Sequence, residues 1–201
     1  MQLSVTVAAI TWTKLDPELD GWMKHQYWPA MGLFLVAFVI EIMILCCKGV
    51  ARKVPTNYIL LGIFTLCMAF FFAFATSLFT PASALMAGGM TLAMTVALTV
   101  YACTTKTDFT VCGSLFFVLS IAVFMLIVVS LFMTFAAWWH PFFAAVMVCI
   151  YALYLIYDTQ LIAGGKSHEL SLDDYVVGSL ILYVDIMGLF LELLSLMGSK
   201  A

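Results

Sequence analysis

Long apolar runs, broken by short polar connections, succeed one another along the whole chain. Runs long enough to cross a bilayer recur at about 28–47, 58–79, 82–103, 114–134, 138–163 and 175–197. Each is close to the ~20 residues that a helix needs to span a hydrocarbon core of about 30 Å. Residues 1–12 (MQLSVTVAAITW) are also apolar, but as a helix they would reach only roughly 18 Å. They read as the second half of a seventh helix. The longest connection, 13–27, carries Lys14, Asp16, Pro17, Glu18, Asp20 and Lys24, which leaves no room for a soluble domain between spans. The pattern predicts an all-α polytopic membrane bundle forming a single domain over 1–201.

Composition sharpens the class. Hydrophobic residues make up 65% of the chain and charged ones 9%, the balance of a protein whose solvent is mostly lipid. The net charge of −3 says little about partners, because the charges sit in the connections. The absence of a basic cluster excludes a nucleic-acid partner. Six cysteines (Cys46, Cys47, Cys67, Cys103, Cys112, Cys149) lie in or beside apolar runs without metal-ligand spacing, and are expected as buried thiols. No basic stretch precedes the first apolar run, and Thr11 to Lys14 (TWTK) does not resemble a cleavage site, so a removed signal peptide is not expected.

Alternate connections carry Lys48, Arg52, Lys53, Lys106 and Lys166 on one side and Lys14, Lys24 and Lys200 on the other. The excess points the first set to the cytosol. Trp22, Trp28, Trp138 and Trp139 then all fall near the opposite face, where indole rings favour the headgroup layer.

Asp158 in YLIYDTQLI and Asp185 in SLILYVDIMGLF interrupt apolar runs that contain no Lys or Arg. From Val176 to Leu196, thirteen Val, Leu, Ile and Phe residues favour insertion by about 4 to 8 kcal/mol, against about 3 for a central Asp. The segment inserts, but Asp185 must face the bundle interior. Gly164-Gly165 marks a helix stop, and Ser171, Asp173 and Asp174 are good caps for the next helix, so the last two spans form an antiparallel hairpin. On a helical rise Asp158 and Asp185 lie roughly 9 and 15 Å below the same face, close enough to meet. Two carboxyls in contact titrate as a pair, which makes a pH sensor, and when ionised they offer hard oxygens that suit calcium. Singly, each could instead be a protonated Asp bonding a neighbouring helix.

YDTQLI followed by DDYVVGSLILYVDIMGLFLELL resembles the C-terminal signature of the transmembrane BAX inhibitor motif family, the lifeguard or Bax inhibitor proteins, over most of the chain. The resemblance implies seven helices around a closed pore, and a calcium leak governed by the pair Asp158 and Asp185. It further implies a role in lowering stored calcium and protecting cells from death signals, with cell-death regulatory proteins as partners. An endoplasmic reticulum or Golgi membrane follows from the resemblance alone. Glu41, in FVIEIMILCC, matches the family's second-helix acid, which lines the pore or bonds a neighbouring helix. Arg52, eleven residues later, matches its basic residue, a latch on one aspartate; it also fits an ordinary positive-inside anchor. The family's pattern is departed from at both ends: the chain starts inside the first helix, suggesting a truncated product or alternative start, and lacks a basic C-terminal tail.

Glu192, seven residues after Asp185, lies on the same helix face and either extends an acidic path or is merely solvated near the interface. Thr91, Thr95 and Thr99 beside Gly88-Gly89 line a wet path or, more ordinarily, bond their own backbone while the glycines let helices approach. Tyr154, Tyr157 and Tyr183 either bond the acids or pack. His140 and His168 are read as interfacial. No residue is assigned to catalysis, no cofactor is implied, and calcium enters as a permeant or bound ion beside protons and the lipid bilayer.

Three rivals remain in view. An intramembrane aspartyl protease shares the Tyr157-Asp158 half of its pattern but needs glycines where Leu182 and Val184 stand, and lacks the Pro-Ala-Leu element. A proton-coupled cation exchanger would use the same acid pair, although no inverted repeat is visible. A membrane scaffold acting through protein partners is the third.

Overall fold

The computed structural model describes residues 1–132 and 139–200. Among the described residues nine α-helices follow one another: α1 (Gln2–Leu15), α2 (Pro17–Met23), α3 (Tyr27–Cys46), α4 (Lys48–Ala51), α5 (Thr56–Ser77), α6 (Pro81–Thr104), α7 (Gly113–Phe132), α8 (Trp139–Ala163) and α9 (Tyr175–Met197). Among the described residues β-structure is limited to an isolated bridge, Phe79 with Lys200, and five helices are long and apolar enough to cross a membrane. The protein is an all-α polytopic bundle. Large apolar side chains such as Leu66, Leu92 and Phe117 stand more than half exposed, as a lipid-facing surface requires. Residues 133, 134 and 138, which belong to two of the expected spans, lie outside the described residues.

The backbone gathers into two compact units. The first comprises Met1–Leu85, Ser171–Tyr183 and the C-terminal residues from Ser199. At its centre α5 buries Phe64, Phe72 and Phe74, and α1 and α3 both pack on it. The first helix reaches Leu15, three residues past its expected end, and the connection after it folds into α2 instead of running as a loop. Asp16 explains this: its carboxylate accepts from the Glu18 and Leu19 amides at 3.0 and 3.3 Å, and Pro17 occupies the first helical position, where a missing N–H costs nothing. Lys14 closes the corner. Its Nζ donates to Asp20 Oδ1 and to Phe79 O, both at 2.8 Å, and to Ser77 O at 3.4 Å. Within the unit Tyr183 Oη meets Thr6 Oγ1 at 2.8 Å, and Thr6 also donates to Gln2 O at 3.2 Å. The Phe64 ring stands edge-on to Tyr183 with centroids 5.8 Å apart.

The second unit comprises Met86–Leu170 and Val184–Gly198. Its core joins Phe116 on α7, Met147, Ile150 and Leu155 on α8, and Leu189, Leu193 and Leu194 on α9. Tyr157 stacks on Phe116 with centroids 4.2 Å apart. The glycine stop after α8 is real in its geometry: Gly164 and Gly165 adopt φ of 71° and 74°, a region that side chains disfavour.

The cysteine expectation needs correcting. The described structure has them as free thiols, but only Cys67 is buried; Cys46, Cys47, Cys103 and Cys149 are exposed and Cys112 is intermediate. In a membrane helix an exposed thiol meets hydrocarbon, and a small apolar group is at home there. Trp22 and Trp28 are exposed. Trp138 and the Trp139 side chain lie outside the described residues.

Candidate functional site

α8 and α9 run antiparallel, and the second unit brings together one acid from each. Asp158 is 8% exposed and Asp185 5%, and their side chains hydrogen-bond each other. An ionised carboxylate can only accept, so two carboxyls that bond each other need a proton between them. Two carboxyls supply at most four oxygens, against the six to eight that calcium takes. A calcium ion at the pair would draw the rest of its shell from water or backbone carbonyls. Among the described residues no three His, Cys, Asp or Glu side chains gather into a metal site.

Three tyrosines flank the acids in sequence, but their rings are engaged elsewhere. The Tyr154 hydroxyl lies 2.6 Å from Ser120 Oγ and donates to Phe116 O at 2.8 Å. Tyr183 bonds Thr6, and Tyr157 stacks on Phe116. Thr159, next to Asp158, is 7% exposed, and its buried hydroxyl has no hydrogen-bond partner among the described residues.

The other expected acids are placed differently. Glu192 lies half-buried on α9, in the same unit as the pair, between buried Leu189 and Leu193. Glu41 belongs to the first unit, half-buried on the α3 face that also carries Ala37, Ile40 and Ile44. Arg52, also in the first unit, holds Asp174: Nε donates to Oδ1 and Nη2 to Oδ2, each at 2.7 Å. The hydrogen bonds and charge of Asp174 raise the guanidinium pKa above its ordinary value. Ahead of α9, Ser171 caps the short turn Leu172–Asp174, its Oγ accepting from the Asp173 amide at 3.4 Å. Nearby, Asn57 Nδ2 donates to Ala51 O and Tyr175 Oη, each at 3.1 Å.

On α6, Thr91 donates to Ala87 O at 2.8 Å, the ordinary role, while Thr95 Oγ1 is buried without a partner among the described residues. Among the described residues nothing lies within 4 Å of a Cβ added at Gly88 or Gly89, so they mediate no close approach there. That happens at Gly188, where an added Cβ would run into the Tyr151 ring.

Two loops close the end of this unit. Asp108 Oδ2 accepts from the Ser167 amide at 2.9 Å, and Oδ1 from the Thr110 amide and hydroxyl at 2.9 and 2.6 Å. The bonds from Ser167, then those from Thr110, hold this carboxyl well below the usual Asp range. Lys166 Nζ donates to Thr105 O at 3.0 Å, and the exposed His168 gives its amide to Thr110 Oγ1 at 3.1 Å. Gln160, 2% exposed, uses every polar atom of its side chain: Nε2 donates to Ala102 O at 3.1 Å and Thr107 O at 3.0 Å, and Oε1 accepts from the Phe109 amide at 2.9 Å. No motif marks Gln160; the available signal is a long amide following Asp158 and Thr159 inside an apolar run.

Comparison with known proteins places these residues in a lineage. Protein lifeguard 3 of Homo sapiens is 33% identical over 206 residues, covering 100% of this chain and 65% of the human protein. Protein lifeguard 3 of Mus musculus is 33% identical over the same length, covering 66% of the mouse protein. The chain thus spans just under two thirds of either relative. A Campylobacter jejuni protein named Uncharacterized protein Cj0236c is 31% identical over 175 residues, 83% of this chain and 72% of that protein. The family model described as "Inhibitor of apoptosis-promoting Bax1" matches residues 1–201. A helical membrane chain matched from end to end by that model, and by lifeguard relatives across its full length, belongs to the Bax inhibitor family.

Proposed function

We propose that this protein is a calcium leak channel of an intracellular membrane, endoplasmic reticulum or Golgi, whose opening responds to pH through Asp158 and Asp185, and that it protects cells from death signals by lowering stored calcium. It is not an enzyme in this reading. The carrying observation is the hydrogen bond between two buried carboxyls. While the proton is shared, the pair is a bond across the α8/α9 seam. Once it is lost, two like charges face each other, with a repulsion of about 4 kcal/mol at 4 Å and an effective dielectric near 20. Separation of the helices, or a cation drawn between the carboxylates, relieves that repulsion. The description of the family as an inhibitor of apoptosis-promoting Bax1 supports the protective role, and leaves cell-death regulatory proteins as partners.

Arg52 is the latch candidate, and Glu41 and Glu192 are candidate pore acids of lesser weight. Asp174, which holds Arg52 through two bonds, competes with any latch on the pair.

The test is calcium flux by the purified protein in liposomes, stepped in pH, for wild type, Asp158→Asn and Asp185→Asn. The expected result is passive flux down the gradient whose pH dependence disappears in both variants. Wild-type flux absent at every pH would defeat the channel and favour action through partners. Saturating flux with protons moving the opposite way would favour a proton-coupled exchanger.

A further inference from the structure

We infer that Gln160 is a positioning residue for the aspartate pair: it fixes the rotation and depth at which α8 presents Asp158 to Asp185, and it does so by tying α8 to the loop that follows α6. This rests on the pair's role in the proposed function.

The geometry is specific. Asp158 and Gln160 are two residues apart, hence about 200° around the helix, so they grip opposite sides of α8. Asp158 reaches α9, where it bonds Asp185. Gln160 reaches the last turn of α6 at Ala102 and the loop at Thr107 and Phe109. A helix held on one side only could turn about its axis. With side-chain atoms roughly 5–6 Å from that axis, a 20° turn moves a carboxyl by about 2 Å, enough to break a bond whose length tolerates only a few tenths of an ångström. Three hydrogen bonds to backbone atoms that cannot be repositioned by a rotamer change resist that turn.

The anchor is itself secured. Asp108 joins the α6–α7 loop to Ser167, and Lys166 and His168 return bonds from the α8–α9 loop to Thr105 and Thr110. Glu169 Oε2 accepts from the Gly165 amide at 3.1 Å, and the Leu170 amide returns to Leu161 O at 2.9 Å. The end of α8 is thus clasped between two loops. Among the described residues the titratable groups near Asp158 are Asp185 on α9 and Tyr154 and Tyr157 on α8 itself; the clasp is built from other residues, so it acts through position.

The full chain tests this directly. With the native cysteines replaced by alanine, Cys is placed at 158 and 185, and the rate of bridging by a short bifunctional methanethiosulfonate reads how often the two positions face each other. Gln160→Leu, which preserves bulk and removes the three bonds, is expected to slow bridging several-fold; Asp108→Ala, which loosens the loops without touching α8, slows it less. An unchanged rate in folded Gln160→Leu overturns the inference, and if that variant does not fold, an unchanged rate in Asp108→Ala overturns it. Liposome flux with native aspartates is the second arm: Gln160→Leu is expected to flatten the pH response several-fold. Wild type without flux would remove the channel reading while leaving the bridging result intact. Wild type with flux and an unaltered Gln160→Leu pH profile would remove the positioning role alone.

Discussion

Arg52 and Asp174 face each other as fork and carboxylate, two parallel bonds of 2.7 Å each, at the start of α9. The pair is partly open to solvent, with Arg52 40% exposed, so its contribution to folding is small and screened by salt. Its interest lies in what it withholds. Asp174→Asn releases Arg52. If Arg52 latches the aspartate pair, calcium flux in liposomes falls in this variant and recovers in Asp174→Asn/Arg52→Gln. If Arg52 is an anchor only, flux is unchanged and the unfolding midpoint drops slightly, by less as salt is raised.

The acids are expected to differ in rank. Asp158→Asn and Asp185→Asn each abolish the pH dependence of flux, whereas Glu192→Gln and Glu41→Gln alter it less. Parallel pH titrations of the four variants check this, and an effect of Glu192→Gln as large as that of Asp185→Asn would move the sensor down α9.

Gly188 admits no side chain without displacing Tyr151. Gly188→Ala is expected to destabilise by about 1–3 kcal/mol, the usual cost of overpacking. Tyr151→Ala in the same chain should recover part of that loss, so the double variant costs less than the sum of the singles. Denaturant titration in detergent measures both.

Tyr183 and Thr6 share a buried hydrogen bond. Because Thr6 already donates to Gln2 O, Tyr183 is the donor between the hydroxyls. Tyr183→Phe should therefore cost about 1 kcal/mol, and Thr6→Val, which strands the buried phenol, about 1–3 kcal/mol. The same titration distinguishes them.

Asp108 makes the loop clasp resistant to mild acid. Its carboxyl is held below its ordinary range, so the stability it contributes is fully present above the unfolded-state pKa of about 3.9 and is lost only as pH falls from there through the lower folded value. Amide protection at Ser167 and Thr110 should stay constant from about pH 7 to 5 and collapse in Asp108→Ala. Protection that fades near pH 6 would contradict the assignment.

Helix arithmetic carried much of this from the sequence. Asp158 and Asp185 could be matched in depth because a membrane helix keeps a fixed rise and Gly164-Gly165 fixes where the first of the two helices stops. α2 could have been found: Asp16-Pro17-Glu18 is a helix start, but its charges make it look like an ordinary connection. Arg52 with Asp174 could not, since 122 residues separate them and which carboxylate a loop arginine meets depends on how distant helices dock. The same holds for Gln160, whose partners are backbone carbonyls and an amide with no side-chain signature. Close packing was expected at Gly88-Gly89 and occurs at Gly188, because a glycine only permits approach and the neighbouring helix decides whether it happens.

Lys14 donates to two carbonyls at the end of α5 as well as to Asp20, and its side chain is only 10% exposed. Its amine is thus chemically quiet. Lys24, on the same acidic partner but 34% exposed, should react with amine-directed reagents well before Lys14, so the order in which the two become labelled reports whether the α1–α2 corner is seated.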